Sequence, residues 1–275
     1  MAHFEWDLLG ADGKKLYGQG WQPETLKGVV TLVHGLGEHS GRYAQVADFL
    51  SRAGYALLTF DLRGHGKTAG PRGDARLSDI LSDMDRLLAE ARYRWPGKPL
   101  FLYGLSLGGL LVLYFTLQRK PQLNGVVASA PGLKTPLEKQ KAKVALANLL
   151  ASLLPHLIIS SGLKPEDISR VRTVVEAYQK DPLVHDKVSL SFARDALAAG
   201  RWVLAHAAGF LPPLLLMQGS ADRLVYPEGS QQFAKMVPGD VTLKIWTELY
   251  HEIHNEPEKE DVLRFLVDWL DRHLT

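Results

Sequence analysis

A hydroxyl, a carboxylate and an imidazole stand along this chain in the order Ser106, Asp222, His251, each just past a stretch that reads as a β-strand. Together they could do acyl-transfer chemistry. A serine hydroxyl is a poor nucleophile at neutral pH, so it needs an imidazole to take its proton. The imidazole in turn needs a carboxylate to fix its tautomer and stabilise the imidazolium. Ser106 lies in Gly104-Leu105-Ser106-Leu107-Gly108. A strand turning sharply into a helix holds its central residue in strained backbone geometry, and only near-hydrogen side chains fit two positions either side. The unpaired N–H groups of a helix opening at Leu107 would favour negative charge forming beside the hydroxyl. A second oxyanion donor is expected in the N–H of Leu36, within the glycine-rich loop His34 to Tyr43.

Two rivals stay open on spacing alone. Asp61 also follows a strand, although the place of Asp222 before the strand leading to the histidine favours Asp222. His254 lies only three residues from His251, which spacing cannot separate. His34, His39 and His65 read as residues that hold loops. Gly66-Lys67-Thr68 resembles the end of a phosphate loop, but Asp61 stands where its first glycine would be and no helix follows at once. Glu252 between His251 and His254 resembles a zinc-protease helix, whose histidines are four apart rather than three. No metal is expected.

These residues need a scaffold of alternating strands and helices. Phe4 to Leu9 and Leu16 to Trp21 read as an edge hairpin about Ala11-Asp12-Gly13. Strands are expected at Gly28–Val33, Tyr55–Phe60, Leu100–Tyr103, Gly125–Ser129, Pro213–Gln218 and Thr242–Trp246. Helices are expected between them, with apolar faces such as Ile80, Met84, Leu87, Leu88, Ala91 and Trp95. This rhythm predicts a mostly parallel sheet covered on both faces. Asn255 is expected to cap the closing helix, whose apolar face includes Val262, Leu266 and Trp269. The rhythm breaks from Pro131 to about Arg201, which reads as helical without a strand. This is a candidate lid over a core formed by residues 1–130 and 202–275. Its apolar run, Val144 to Ile159, is shorter than the roughly 20 residues that cross a bilayer. It would either pack on the core or meet a lipid surface, helped by Lys134, Lys139, Lys141 and Lys143.

Bulk properties narrow the function classes. With 275 residues and 46% hydrophobic content the chain can bury a large core. Its 32 basic and 30 acidic residues are dispersed, so no field that would gather nucleic acid is implied. The absence of cysteine removes thiolate nucleophiles, disulfides and thiolate metal sites. Met1 to Gly10 carries Glu5 and Asp7 and lacks the pattern of a secretory signal, so a cytoplasmic location is expected.

With elbow, acid loop and histidine turn in place, the chain resembles the monoacylglycerol lipase and lysophospholipase group of the α/β-hydrolase superfamily. The segments that carry the resemblance are HGLGEHSGRY (34–43), DLRGHGKTAGPRG (61–73), GLSLGG (104–109), AYQKDPLV (177–184), GSADRLV (219–225) and YHEIHNE (250–256). The resemblance implies an α/β-hydrolase fold with a helical lid insertion. It implies Ser106, Asp222 and His251 as catalytic residues, with His251 rather than His254 as the base. It also implies Glu38, Arg42, Tyr178 and His254 at a polar end of the pocket that receives glycerol hydroxyls. The expected activity is cofactor-free hydrolysis of monoacylglycerols through an acyl-enzyme on Ser106, with transient contact between lid and membrane. A lysophospholipase or a short-to-medium-chain carboxylesterase is the alternative, and a non-catalytic lipid-binding protein is the remoter one. Leu107 stands where the group often has methionine, but only its backbone donor is needed.

Overall fold

The computed structural model describes residues 1–275. Eight strands form one sheet: β1 (Ala2–Leu9), β2 (Lys15–Gln22), β3 (Gly28–Val33), β4 (Tyr55–Phe60), β5 (Leu100–Leu105), β6 (Gly125–Ser129), β9 (Leu214–Gly219) and β10 (Val241–Trp246). A separate two-stranded sheet holds β7 (Ile158–Ser160) and β8 (Lys187–Ser189). The main sheet runs β1-β2-β4-β3-β5-β6-β9-β10, antiparallel at the β1/β2 edge and parallel from β4 onward. Strands β3, β4, β5, β6 and β9 are buried throughout, as a sheet covered on both faces requires.

Alternation along these strands sends side chains into two cores. Val33, Leu58, Leu102, Ala128 and Leu216 face one side, with α2 (Leu77–Arg94), α3 (Leu107–Arg119), α6 (Leu190–Ala205) and α7 (Pro227–Met236). Leu32, Leu57, Tyr103, Val127 and Met217 face the other, with α1 (Ala44–Arg52) and α8 (Lys259–Arg272). Chain order reverses between neighbours β3 and β5. At such a switch point the loops leaving adjacent strands diverge and open a crevice beyond their carboxyl ends. Here those loops carry Leu36 and Ser106.

The lid differs from the sequence expectation in three ways. It contains strands: β7 and β8 pair antiparallel with Ile159 opposite Val188, three-residue pieces too short for alternation to reveal. The apolar run 144–159 is not one helix, because α4 (Lys141–Leu153) ends before Pro155 and the chain then enters β7. Finally, the expected boundary at 201/202 falls inside α6, which runs on from Leu190 to Ala205 and packs on α3. Between α4 and α6 lies α5 (Arg172–Lys180), which buries no residue completely. Asn255 does not cap α8: it sits in a 3-10 turn (Ile253–Asn255) and its amide donates to Glu252 Oε2 at 2.8 Å, while Glu258 holds the cap position without a side-chain bond. No helix is long and apolar enough to cross a membrane.

Candidate active site

Ser106 occupies the turn from β5 to α3 with φ 58° and ψ −117°, a region that L-residues avoid. The flanking glycines are what allow it. A Cβ on Gly104 would collide with the Gly108 carbonyl, and one on Gly108 with the Val33 carbonyl. The spacing of the motif thus follows from the closeness of helix and strand. The carbonyl of Ser106 accepts from Leu110 N (2.9 Å) and Gly132 N (3.0 Å), fixing the elbow from both sides.

Asp222 follows β9. Its Oδ1 accepts from the N–H groups of Leu224 (2.9 Å) and Val225 (3.0 Å), and its Oδ2 lies 2.8 Å from His251 Nδ1. The proton is therefore assigned to Nδ1, which leaves Nε2 with its lone pair. Burial opposes protonation of His251, but the adjacent Asp222 carboxylate outweighs it and raises the imidazole above its ordinary value. Neither His251 Nε2 nor Ser106 Oγ is engaged by another protein group, and no hydrogen bond joins the two in this structure. Both line one narrow cavity. Catalytic hydrogen bonds of this kind tighten on substrate binding.

The rival acid is committed elsewhere. Asp61 accepts from Ser40 N (2.8 Å), Ser40 Oγ (2.5 Å) and Lys67 N (2.7 Å), tying two loops together. His34 also holds loops, as its Nε2 accepts from Leu62 N at 2.9 Å. His65 lies with Nδ1 2.9 Å from the Arg63 carbonyl. His39 reaches the lid, with Nε2 2.8 Å from Asp181 Oδ2. The N–H groups of Leu36 and Leu107 donate to no loop, turn or side-chain acceptor, so both are available to an oxyanion.

Glu38, Arg42, Tyr178 and Glu252 also line the narrow cavity. Arg42 clamps Glu252 with two bonds of 2.7 Å and reaches Glu38 Oε2 at 2.5 Å. Glu38 Oε1 accepts from Gly35 N (2.6 Å) and Tyr43 Oη (2.7 Å), coupling the ion network to the loop that holds Leu36. Burial opposes ionisation of Glu252, but the Arg42 charge overcomes it and pushes its pKa down to about 2. The Arg42 guanidinium lies 4.7 Å from the centre of the Tyr178 ring. His254 is not in the cavity lining: it is buried behind, stacked on Tyr43 at 5.4 Å, with Nδ1 unpartnered. Sequence reasoning missed Glu252 as a partner of Arg42. Glu38 and Arg42 advertise themselves by their i, i+4 spacing, whereas Glu252 is 210 residues from Arg42 and only the fold brings them together.

The narrow cavity is about 20 Å³, room for a water molecule. A wider one of about 500 Å³ meets it at Leu36 and Ser106 and runs out beneath the lid past Leu107, Leu110, Leu137, Leu163 and Leu197. The lid is fastened on both sides of the site. His185 N donates to Gly37 O (2.8 Å) and Ser189 N to Gly73 O (2.9 Å) on one side, and Glu252 N to Ile168 O (2.8 Å) on the other.

With this geometry in place, the comparisons with known proteins become specific. Residues 24–258 match the family "Serine aminopeptidase, S33". An uncharacterised abhydrolase domain-containing protein of Dictyostelium discoideum is 36% identical over 98% of the chain, which spans 29% of that protein's length. A monoacylglycerol lipase of Mycolicibacterium smegmatis is 34% identical over 98% of both chains. Among solved structures, a monoacylglycerol lipase of Paleococcus ferrophilus superposes with a TM-score of 0.87 at 37% identity, covering 94% of this chain and 99% of the other.

Proposed function

Because the chain belongs to the serine aminopeptidase S33 family of α/β-hydrolases, we propose that it hydrolyses monoacylglycerols to fatty acid and glycerol. His251 Nε2 takes the Ser106 proton as Oγ attacks the ester carbonyl, and the N–H groups of Leu36 and Leu107 receive the oxyanion. His251 then returns the proton to the departing glycerol oxygen. In the second half it deprotonates a water that releases the fatty acid, and Asp222 stabilises each imidazolium. No step calls for a cofactor.

The observation that carries the substrate class is the pairing of two cavities at one serine. The leucine-lined one suits a single acyl chain. The other is walled by two buried carboxylates and a guanidinium, groups that hydrogen-bond hydroxyls. Glu38, Arg42 and Tyr178 face the glycerol, while His254 supports Tyr43 from behind. A volume of about 20 Å³ does not admit a glycerol, so binding there requires movement of the lid around Tyr178. A panel of monoolein, diolein, triolein, a short aryl ester and a peptide amide tests the reading. Monoolein is expected to turn over fastest, and preference for the aryl ester or the amide would overturn it.

A second reading, lysophospholipase, is favoured by Lys143, Lys164 and Arg223 around the wide cavity, where they suit a phosphate-bearing substrate. Adding lysophosphatidylcholine to the panel separates the two. We also place the enzyme in the cytoplasm with reversible contact to membranes. Leu146, Leu149, Leu153, Leu154 and Leu157 are 45–71% exposed at the end of the lid that carries Lys139, Lys141 and Lys143.

A further inference from the structure

Gln218 is an amide where the strand pattern calls for a hydrocarbon. It is in phase with Leu214 and Leu216 on β9, fully buried, and on the apolar face that α7 covers. A buried amide costs stability unless every polar atom is bonded, so a leucine or methionine would suit packing better. Both of its polar atoms are engaged, in three bonds. Nε2 donates to Asp222 Oδ2 (3.2 Å) and to the Val225 carbonyl (2.9 Å), and Oε1 accepts from Ser230 Oγ on α7 (2.5 Å). The Asp222 oxygen it touches is the one that faces His251 Nδ1.

We propose that Gln218 is a positioning residue for the triad, orienting the Asp222 carboxylate toward His251, and that Ser230 anchors the Gln218 amide in place. The proposal rests on Ser106, Asp222 and His251 acting as the reading above assigns them. Two carboxylate oxygens have four directions in which to accept, and a carboxylate that rotates loses its aim at the imidazole. Backbone N–H groups hold Oδ1, and Gln218 holds Oδ2. A flipped amide would turn its own oxygen toward the carboxylate and repel it. The Val225 carbonyl and the Asp222 carboxylate, which can only accept, set the direction of the amide, and the Ser230 hydroxyl, donating to Oε1, pins it there. By donating to Asp222, Gln218 also draws off part of the negative charge that supports the imidazolium. Its removal is therefore expected to raise the proton affinity of His251. The other charged and titratable groups facing His251 are Glu252, Glu38 and His254, and none of them touches Gln218.

The test is the pH dependence of ester hydrolysis by the wild type, Gln218→Met, Ser230→Ala and the double variant, with thermal melts of each. In Gln218→Met, kcat should fall about tenfold or more. KM should stay within about twofold, since no substrate contact is lost, and the acid limb of kcat/KM should move to higher pH. Ser230→Ala should do the same to a smaller extent, and should add nothing in the Gln218→Met background, because it acts through Gln218. An unmoved acid limb with only a lowered melting temperature would make Gln218 a loop fastener and overturn the proposal. So would independent, additive effects of the two substitutions. If Gln218→Met does not fold, Ser230→Ala alone decides by whether its acid limb moves. Failure of the underlying reading looks different: the wild type itself would then show no acid limb and no loss of turnover in Ser106→Ala.

Discussion

At the scale of single residues the site works by opposing burial with charge. His251 is removed from water, which disfavours the imidazolium, yet Asp222 at 2.8 Å raises its proton affinity above the ordinary histidine range near 6.5. A general base must be neutral to act. The acid limb of kcat/KM should therefore be centred above about 6.5, and Asp222→Asn should lower kcat about 10⁴-fold and displace the limb downward. A limb unchanged by that substitution would remove Asp222 from the triad. Arg42 lies between two buried carboxylates, so its loss strands both. Arg42→Met should cost about 3–5 kcal/mol in urea unfolding, since a buried charge without its partner is far dearer than the pair. A loss under 1 kcal/mol would mean that the carboxylates find water instead. The elbow, the acid and the two candidate histidines are readable in sequence because strand ends and turn glycines mark them. Glu252, Tyr43 and Gln218 are not, because their roles are contacts between segments far apart in the chain.

At the scale of elements, the serine's strained turn depends on helix α3 starting against strand β5. Gly108→Ala would drive a methyl into the Val33 carbonyl, on the strand next to the elbow. It should lower the melting temperature and kcat together, and a variant with wild-type values for both would show that the elbow can widen. The core strands and helices match the sequence pattern closely because each is long enough for its period to show. The lid resists such reading. Strands β7 and β8 are too short to alternate, and a run of leucines gives no period to mark where α4 stops. Nor does that pattern decide whether the run is covered. In the structure it is largely exposed. Leu149→Gln with Leu153→Gln should reduce flotation with liposomes, more so for anionic ones, and leave hydrolysis of a soluble aryl ester within about twofold. Unchanged flotation would return these leucines to a packing role inside the protein.

Across the whole molecule, loops and lid enclose several neutral histidines. Burial lowers the proton affinity of His34, His65, His185 and His254, so below about pH 6.5 the unfolded chain binds protons that the native one refuses. Stability falls with pH in that window. His251, raised instead, contributes stability that is fully present below its unfolded value and lost as pH rises through the folded one, so it offsets part of the fall. Glu252 contributes above its unfolded value near 4.5 and loses this only as pH falls through about 2. The melting temperature should accordingly drop between pH 7 and pH 5, and a flat or rising profile would contradict the neutral state of the cluster. The same architecture brings the loops after β5, β9 and β10 to the carboxyl end of the sheet, where Ser106, Asp222 and His251 come together. The most direct test is intact-mass spectrometry after treatment with a fluorophosphonate. One adduct per chain is expected, mapped to Ser106 and absent in Ser106→Ala; an unmodified Ser106, or an adduct on another residue, would contradict the assignment of Ser106 as nucleophile.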